Sequence, residues 1–320
     1  MLNLRILVPG EMTDDVLGVL DGDASVSGLT VLRGAAVRPA GDVVTANVAR
    51  EATNDIVAGL RELGVHQRGS IELQPVTTWL SRGGFEAEIR TPGSASDSVV
   101  WADVAQRSYE ATELNWSYLS FMTLATVISS IAIISDSQVL VIGAMVLGPE
   151  FGAVAALGVA LVRRRYALGW LAIRTVVLGF VAAILTTLVL ALIGRALGWV
   201  TLEDVVGPRP STAFIYSPDK WSFIVALVAG AAGVLSLTSA KATGLAGVFI
   251  SVTTVPAAGN IALAAAFGVG SEIVDSCLQL LVNIAGMALA GWGTLALQNL
   301  VWSRISVRRA RAAAHPRRML

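Results

Sequence analysis

Charge is scarce in this chain. Only 14% of its 320 residues are Asp, Glu, Lys or Arg, against roughly 25% in soluble domains. The deficit is uneven. Residues 1–116 have an ordinary soluble composition, whereas 117–303 hold almost nothing but apolar, small and hydroxyl side chains. Cysteine is nearly absent too. The single Cys277 excludes an internal disulfide and a cysteine cluster, and its apolar surroundings suit packing. The two histidines, His66 and His315, stand alone. No phosphate loop, metal-spaced ligand set or nucleophile–base pair is present, so the chain is not expected to be an enzyme or to need a metal or cofactor. The opening MLNLRILVPG lacks the basic end and long apolar core of a secretory signal. The N-terminus is therefore expected in the cytoplasm. Acid is missing from the tail: residues 304–320 carry Arg304, Arg308, Arg309, Arg311, Arg317 and Arg318 alone. Beside a last membrane helix this reads as a cytoplasmic anchor against anionic lipid, and nothing else supports a nucleic-acid partner.

Residues 1–76 carry a folded pattern. LNLRILV at 2–8 alternates as a half-buried strand does, 12–20 suits a short helix capped by Thr13 or Asp14, and 26–33 and 42–49 are β-branched runs across a turn. Residues 51–63 align Ile56, Val57, Leu60 and Leu63 on one helical face before Gly64, and 70–76 is a fourth strand. The order β-α-β-β-α-β is the ferredoxin-like split motif. It serves equally as a ligand-binding regulatory domain or as a docking and oligomerisation platform. Residues 77–116 read as a Gly/Pro/Ser linker to 96, then an amphipathic juxtamembrane helix.

Six stretches, at 117–135, 138–162, 168–196, 220–240, 243–268 and 272–302, have the length and apolarity of membrane spans. Trp116, Trp170, Trp199, Trp221 and Trp302 fall near their ends, as tryptophan at headgroup level does. Arg163, Arg164 and Arg165, Lys241 and the tail then all fall on one side, which puts both termini in the cytoplasm. The second span holds Gly143, Pro149 and Gly152, and the fifth Gly247, Pro256 and Gly259. Pro breaks the helical ladder, and a break at bilayer depth persists only where protein or water satisfies the backbone. Matching breaks in two groups of three helices predict a 3+3 inverted repeat with a binding site between them. The other reading is two separate kinks that permit tight packing.

The runs SSIAIISDSQVLVIGAMVLGPEFGAVAALGVALV and VALVAGAAGVLSLTSAKATGLAGVFISVTTVPAAGNIALA resemble the core of a hydrophobic membrane family, domain of unknown function 389, across about residues 115–300. The resemblance implies a bacterial or archaeal membrane protein and no settled activity. The family's common pattern has Pro-Leu-Met-Gly-Pro at the first break and a Pro-Pro pair at the second. Here Pro149-Glu150-Phe151-Gly152-Ala153 and Pro256-Ala257 stand instead, each without the second proline.

Glu150 stands out as a carboxylate near mid-span, where a charge costs about 2.5–3.5 kcal/mol. Arg174, Asp275 and Asn283 are its candidate partners, and Ser129, Ser130, Thr253, Thr254 and Asn260 could line a polar path. Two functions follow. One is a transporter or channel for a small solute or ion, with Gly143, Pro149, Glu150, Gly152, Arg174, Pro256, Gly259 and Asn260 along its path and the cytoplasmic domain as regulator. The other is a non-transporting sensor or scaffold, in which Glu150 is a structural ion-pair partner. Either suits a homo-oligomer in contact with membrane lipids, in a prokaryotic plasma membrane.

Overall fold

The computed structural model describes residues 1–93, 98–215, 220–238 and 254–314, with Phe214 and residues 302–314 described by backbone alone. The chain divides into two compact units. Met1–Val104 makes the body of one, and Ala105–Leu237 with Ala242–Leu297 forms the other.

In the first unit the elements run β1 (Leu2–Val8), α1 (Thr13–Leu20), β2 (Val26–Val37), β3 (Ala40–Val48), α2 (Thr53–Glu62), α3 (Val65–Arg68), β4 (Ser70–Pro75) and α4 (Arg82–Arg90). The strands form one antiparallel sheet in the order β2-β3-β1-β4, with Leu4 opposite Ala46 and Leu73. Alternation in β1 turns Leu2, Leu4, Ile6 and Val8 inward, where they pack with Val44, Ala46, Val48, Val16, Leu20, Ile56 and Leu60. Strand β2 runs further than its apolar pattern suggests, because the hairpin turns tightly at Arg38–Pro39 with Val37 opposite Ala40. Asp42 holds this end together. It accepts bonds from Thr13 Oγ1 (2.7 Å) and from the Gly34 amide (2.8 Å), where φ of +66° aims the N–H at it. The Gly34 amide, then the Thr13 hydroxyl and the Arg33 guanidinium, hold its carboxyl below the usual value against the opposing effect of burial.

Residues 77–96, expected as a linker, contain α4. Its glycines hide it from the propensity signal. The local contacts favour it: the Ser81 hydroxyl accepts the Gly84 N–H at 3.2 Å as an N-cap, Arg82 and Arg90 flank Glu86 at i,i+4 spacing, and the Trp79 and Phe85 rings meet at 4.8 Å. The stretch after it is tied back by Asn54, which donates to Val99 O (2.6 Å) and accepts from the Trp101 amide (3.1 Å).

The second unit begins within α5 (Trp101–Ala111) and continues through α6 (Trp116–Ile134), α7 (Gln138–Leu147), α8 (Glu150–Val162), α9 (Tyr166–Ala196), the short α10 (Leu202–Val206), α11 (Lys220–Thr238), α12 (Thr254–Phe267) and α13 (Gly270–Ala314). Among the described residues, four helices are long and apolar enough to cross a membrane: α6, α9, α11 and Gly270–Val301 of α13. The α7–α8 pair makes a fifth if taken as one span, bent by 55°. Most of the first half of the expected fifth stretch, 243–253, and Lys241 lie outside the described residues, as does His315. Helix α9 shows how these helices sort their faces. Ala172, Thr175, Gly179, Ala183, Thr187 and Ala191 are buried, whereas Ile173, Val177, Val181, Leu185 and Val189 are exposed. Leu168, Val176 and Phe180 share the buried face, so small residues predominate inward without excluding large ones. The exposed face is large and apolar, the arrangement of a helix that meets protein on one side and lipid on the other. Helix α12, by contrast, is buried on all faces from Thr254 to Ala264, against α6, α9 and α7. It is the centre of the unit.

Candidate functional site

The expected second span breaks at Pro149. Gly148 is extended (φ −65°, ψ 124°), α7 ends there, and α8 starts at Glu150. The carboxylate thus sits on the first turn of a helix, where unsatisfied N–H groups and the helix dipole favour negative charge. Glu150 is fully buried and accepts a 2.6 Å hydrogen bond from Thr254 Oγ1 of α12. Gly148 leaves it room: a β-carbon there would lie 2.3 Å from Glu150 Oε2 and 2.8 Å from Val255. Pro256 lies in α12, two residues after Thr254. The break expected at Pro256 is not present within the described part of this stretch, where Thr254–Phe267 is continuous helix, and residues 239–253 lie outside the described set.

The structure therefore brings together Pro149, Glu150, Thr254 and Pro256. The glycines behave differently from one another. Gly259 lets α12 approach α6, since a β-carbon there would stand 2.9 Å from Ser129 Oγ and 3.1 Å from the Ser130 amide. Gly152 does the same against Ala111 at 2.8 Å. Gly143 is exposed with nothing within 4 Å, so it belongs to no contact. Arg174 does not meet Glu150. It is exposed and lines a separate hollow of about 380 Å³ with Tyr109, Glu110, Glu113 and Thr175. Asp275 is exposed as well. A hydroxyl from α12 is a partner of Glu150 instead. Ser130 bonds back to Val127 O (2.8 Å) and Thr126 to Met122 O (2.8 Å), as hydroxyls in membrane helices commonly do. Thr253 lies outside the described residues.

Asn260 belongs to a second polar group, about 9 Å further along α12 at 1.5 Å per residue. Its Nδ2 donates to Glu272 Oε2 (3.0 Å) and Ser276 Oγ (2.9 Å), and its Oδ1 accepts from Arg209 Nη1 (3.2 Å). Arg209 Nη2 also reaches Glu272 Oε1 at 2.7 Å. Arg209 is buried, although it sits in the segment joining α10 to α11. Sequence reasoning missed it, because one arginine between Pro208 and Pro210 in a polar loop looks like solvated surface. The signal lay in Glu272 at the start of an apolar helix, which needs a counter-charge if it faces inward. The same loop bonds to Asp136 in the α6–α7 turn, through the Ser211 amide (3.2 Å) and Thr212 Oγ1 (2.9 Å). Burial pushes the Asp136 carboxyl up, but the Thr212 hydroxyl and the Ser211 and Thr212 amides outweigh it, so it stays below its usual value. Among the described residues no group of His, Cys, Asp and Glu could hold a metal ion.

The model of a family described as domain of unknown function (DUF389) matches residues 145–289. An uncharacterised protein of Methanocaldococcus jannaschii is 24% identical over 181 residues, which cover 57% of this chain and 54% of that protein. The match thus spans about half the length of that relative. No solved structure matches the chain. The matched stretch runs from α7 into α13 and contains both polar groups, from Glu150 and Thr254 to Arg209, Asn260 and Glu272. Residues 145–289 thus match the family that the two break motifs resemble.

Proposed function

We propose that this protein moves a small solute or ion across a prokaryotic plasma membrane, with Glu150 as the group that couples to or selects the moving species. The observation that carries the reading is a fully buried carboxylate at the break of a membrane helix, on the first turn of α8 and bonded to Thr254 of α12. A charge at bilayer depth costs about 2.5–3.5 kcal/mol on insertion scales, so its retention there points to a use. Half-helices that meet near mid-membrane are a recurrent way of building such sites. Pro149, Pro256, Thr254 and Asn260 frame the path, and α6 to α13 form six spans in a 3+3 inverted repeat. Arg163, Arg164 and Arg165 and the basic tail put both termini in the cytoplasm. The β2-β3-β1-β4 strand order supports a ferredoxin-like reading of the N-terminal domain, which regulates the path from the cytoplasmic side. The chain works as a homo-oligomer surrounded by membrane lipid.

The sensor or scaffold reading is favoured by one observation, the close helix contacts. A β-carbon at Gly158 would lie 2.9 Å from the Trp292 amide, and one at Gly230 2.6 Å from Met287 O. Flux measurements separate the two. Purified protein in liposomes should pass at least one of a panel of protons, alkali cations and small organic ions, and Glu150→Gln and Glu150→Ala should each change the rate or its pH dependence. Unchanged flux in both variants would remove Glu150 from the mechanism.

A further inference from the structure

Helix α13 carries a polar stripe through an apolar span. Glu272, Ser276, Gln279 and Asn283 recur at the three- and four-residue spacing that aligns side chains on one helical face. Ser276, Gln279 and Asn283 are fully buried. Burying such groups costs free energy unless they are bonded, yet among the described residues neither amide atom of Gln279 has a hydrogen-bond partner. Towards the start of the helix the stripe faces Asn260, and the position between Asn260 Oδ1 and Glu272 Oε1 is filled by the Arg209 guanidinium. Arg209 arrives from outside the spanning helices. It is 5% exposed, while Pro208 and Pro210 on either side are exposed. Proline on both sides restricts the arm that carries it. Asp136 latches the same loop a second time through Ser211 and Thr212.

We infer that Glu272, Asn260, Ser276 and Gln279 form a site for a small monovalent cation of the ammonium or guanidinium class, and that Arg209 occupies it as a tethered surrogate and so closes it. The donor set fits that class. It offers one carboxylate, two amide carbonyls and one hydroxyl: acceptors for N–H groups and a single negative charge to balance one positive one. The planar fork already lies across the carboxylate and the amide, which shows that the gap takes a guanidinium. Gln279, deeper along the stripe and without a hydrogen bond among the described residues, is the next acceptor once the arm withdraws. The inference rests on the proposed path only for where the cation goes next; occupancy of the site is tested without flux.

The test uses the full chain in lipid nanodiscs and guanidinium chloride as the probe, against sodium chloride at equal millimolar concentration. Arg209→Ala is expected to melt several degrees below the wild type and to recover most of that loss in guanidinium by mass action, but none in sodium. Arg209→Ala combined with Glu272→Gln should not respond. A recovery equal in both salts, or equal in the double variant, would overturn the site. The wild type supplies a second measurement that needs no variant to fold. Guanidinium should compete with Arg209 and speed hydrogen exchange at the Ser211 and Thr212 amides several-fold over sodium, and equal exchange in the two salts would overturn the inference. Guanidinium-specific responses without solute flux would leave this site standing and remove only the transport reading.

Discussion

Gly259, three residues after Pro256, and Gly143, six residues before Pro149, differ in what an added methyl group would meet. Alanine at Gly259 puts a methyl group 2.9 Å from Ser129 Oγ, 3.1 Å from Ser129 Cβ and 3.1 Å from the Ser130 backbone amide. The hydroxyl could rotate away, but the amide belongs to α6 and could yield only if two buried helices separated. Overpacking of this kind costs about 1–3 kcal/mol. Alanine at Gly143 meets nothing within 4 Å and lies inside α7. It removes only the entropic cost of glycine in a helix, a gain of roughly 0.5–1 kcal/mol. The same change of one methyl group should therefore lower the melting temperature at 259 and hold or raise it at 143. The assay is thermal unfolding of each full-length variant in nanodiscs, followed by tryptophan fluorescence. Loss at both positions, or a larger loss at 143, would refute the packing argument and the placement of α12 against α6.

Thr254→Val keeps the shape of the side chain and removes the hydroxyl that bonds Glu150. A hydrogen bond to a charged group contributes about 1.5–3 kcal/mol, so the variant should be destabilised by that order, and the loss should vanish when Glu150→Ala is already present, as a double-mutant cycle of melting curves would show. Asp42 gives a pH dependence outside the membrane. Its folded carboxyl lies below the ordinary value of 3.8, so its contribution is full above that value and is lost as the pH falls through the folded value. Hydrogen exchange in β1 and β3 should distinguish the wild type from Asp42→Asn at neutral pH and converge in strong acid; convergence already at neutral pH would contradict the bonding to Thr13 and Gly34.

Much of the first unit was legible in the sequence because its signals are local. Alternation over Leu2–Val8 delivers β1 with its bounds, and the β-αβ-βαβ order follows from periodicities and turn residues. Helix α4 was not, because Gly83 and Gly84 weaken the helical signal while the Ser81 cap and the Trp79–Phe85 contact are too short-range to outweigh them in composition. In the second unit, hydropathy marks the helices and Pro149 marks the bend. What hydropathy cannot give is which polar groups meet. Arg174 is the nearest opposite charge along the sequence to Glu150 inside an apolar span, yet α9 turns it outward, and the bond comes from Thr254, which is 104 residues away. Arg209 pairs with Glu272 across 63 residues for the same reason. Helical periodicity places a residue on a face of its own helix; which helix lies opposite is set by packing of the whole unit.

The central claim is that the region around Glu150 opens to water during function, and the single cysteine makes this directly measurable. In a Cys277→Ser background, Thr254→Cys places one thiol beside the buried carboxylate. In sealed vesicles the account predicts that a small membrane-impermeant thiosulfonate labels this position slowly, and that transported solute changes the rate. Failure to label from either side of the membrane, under conditions that label exposed cysteines at Glu203 and at Arg163 to completion from their own sides, would contradict it and leave Glu150 as part of a closed structural core.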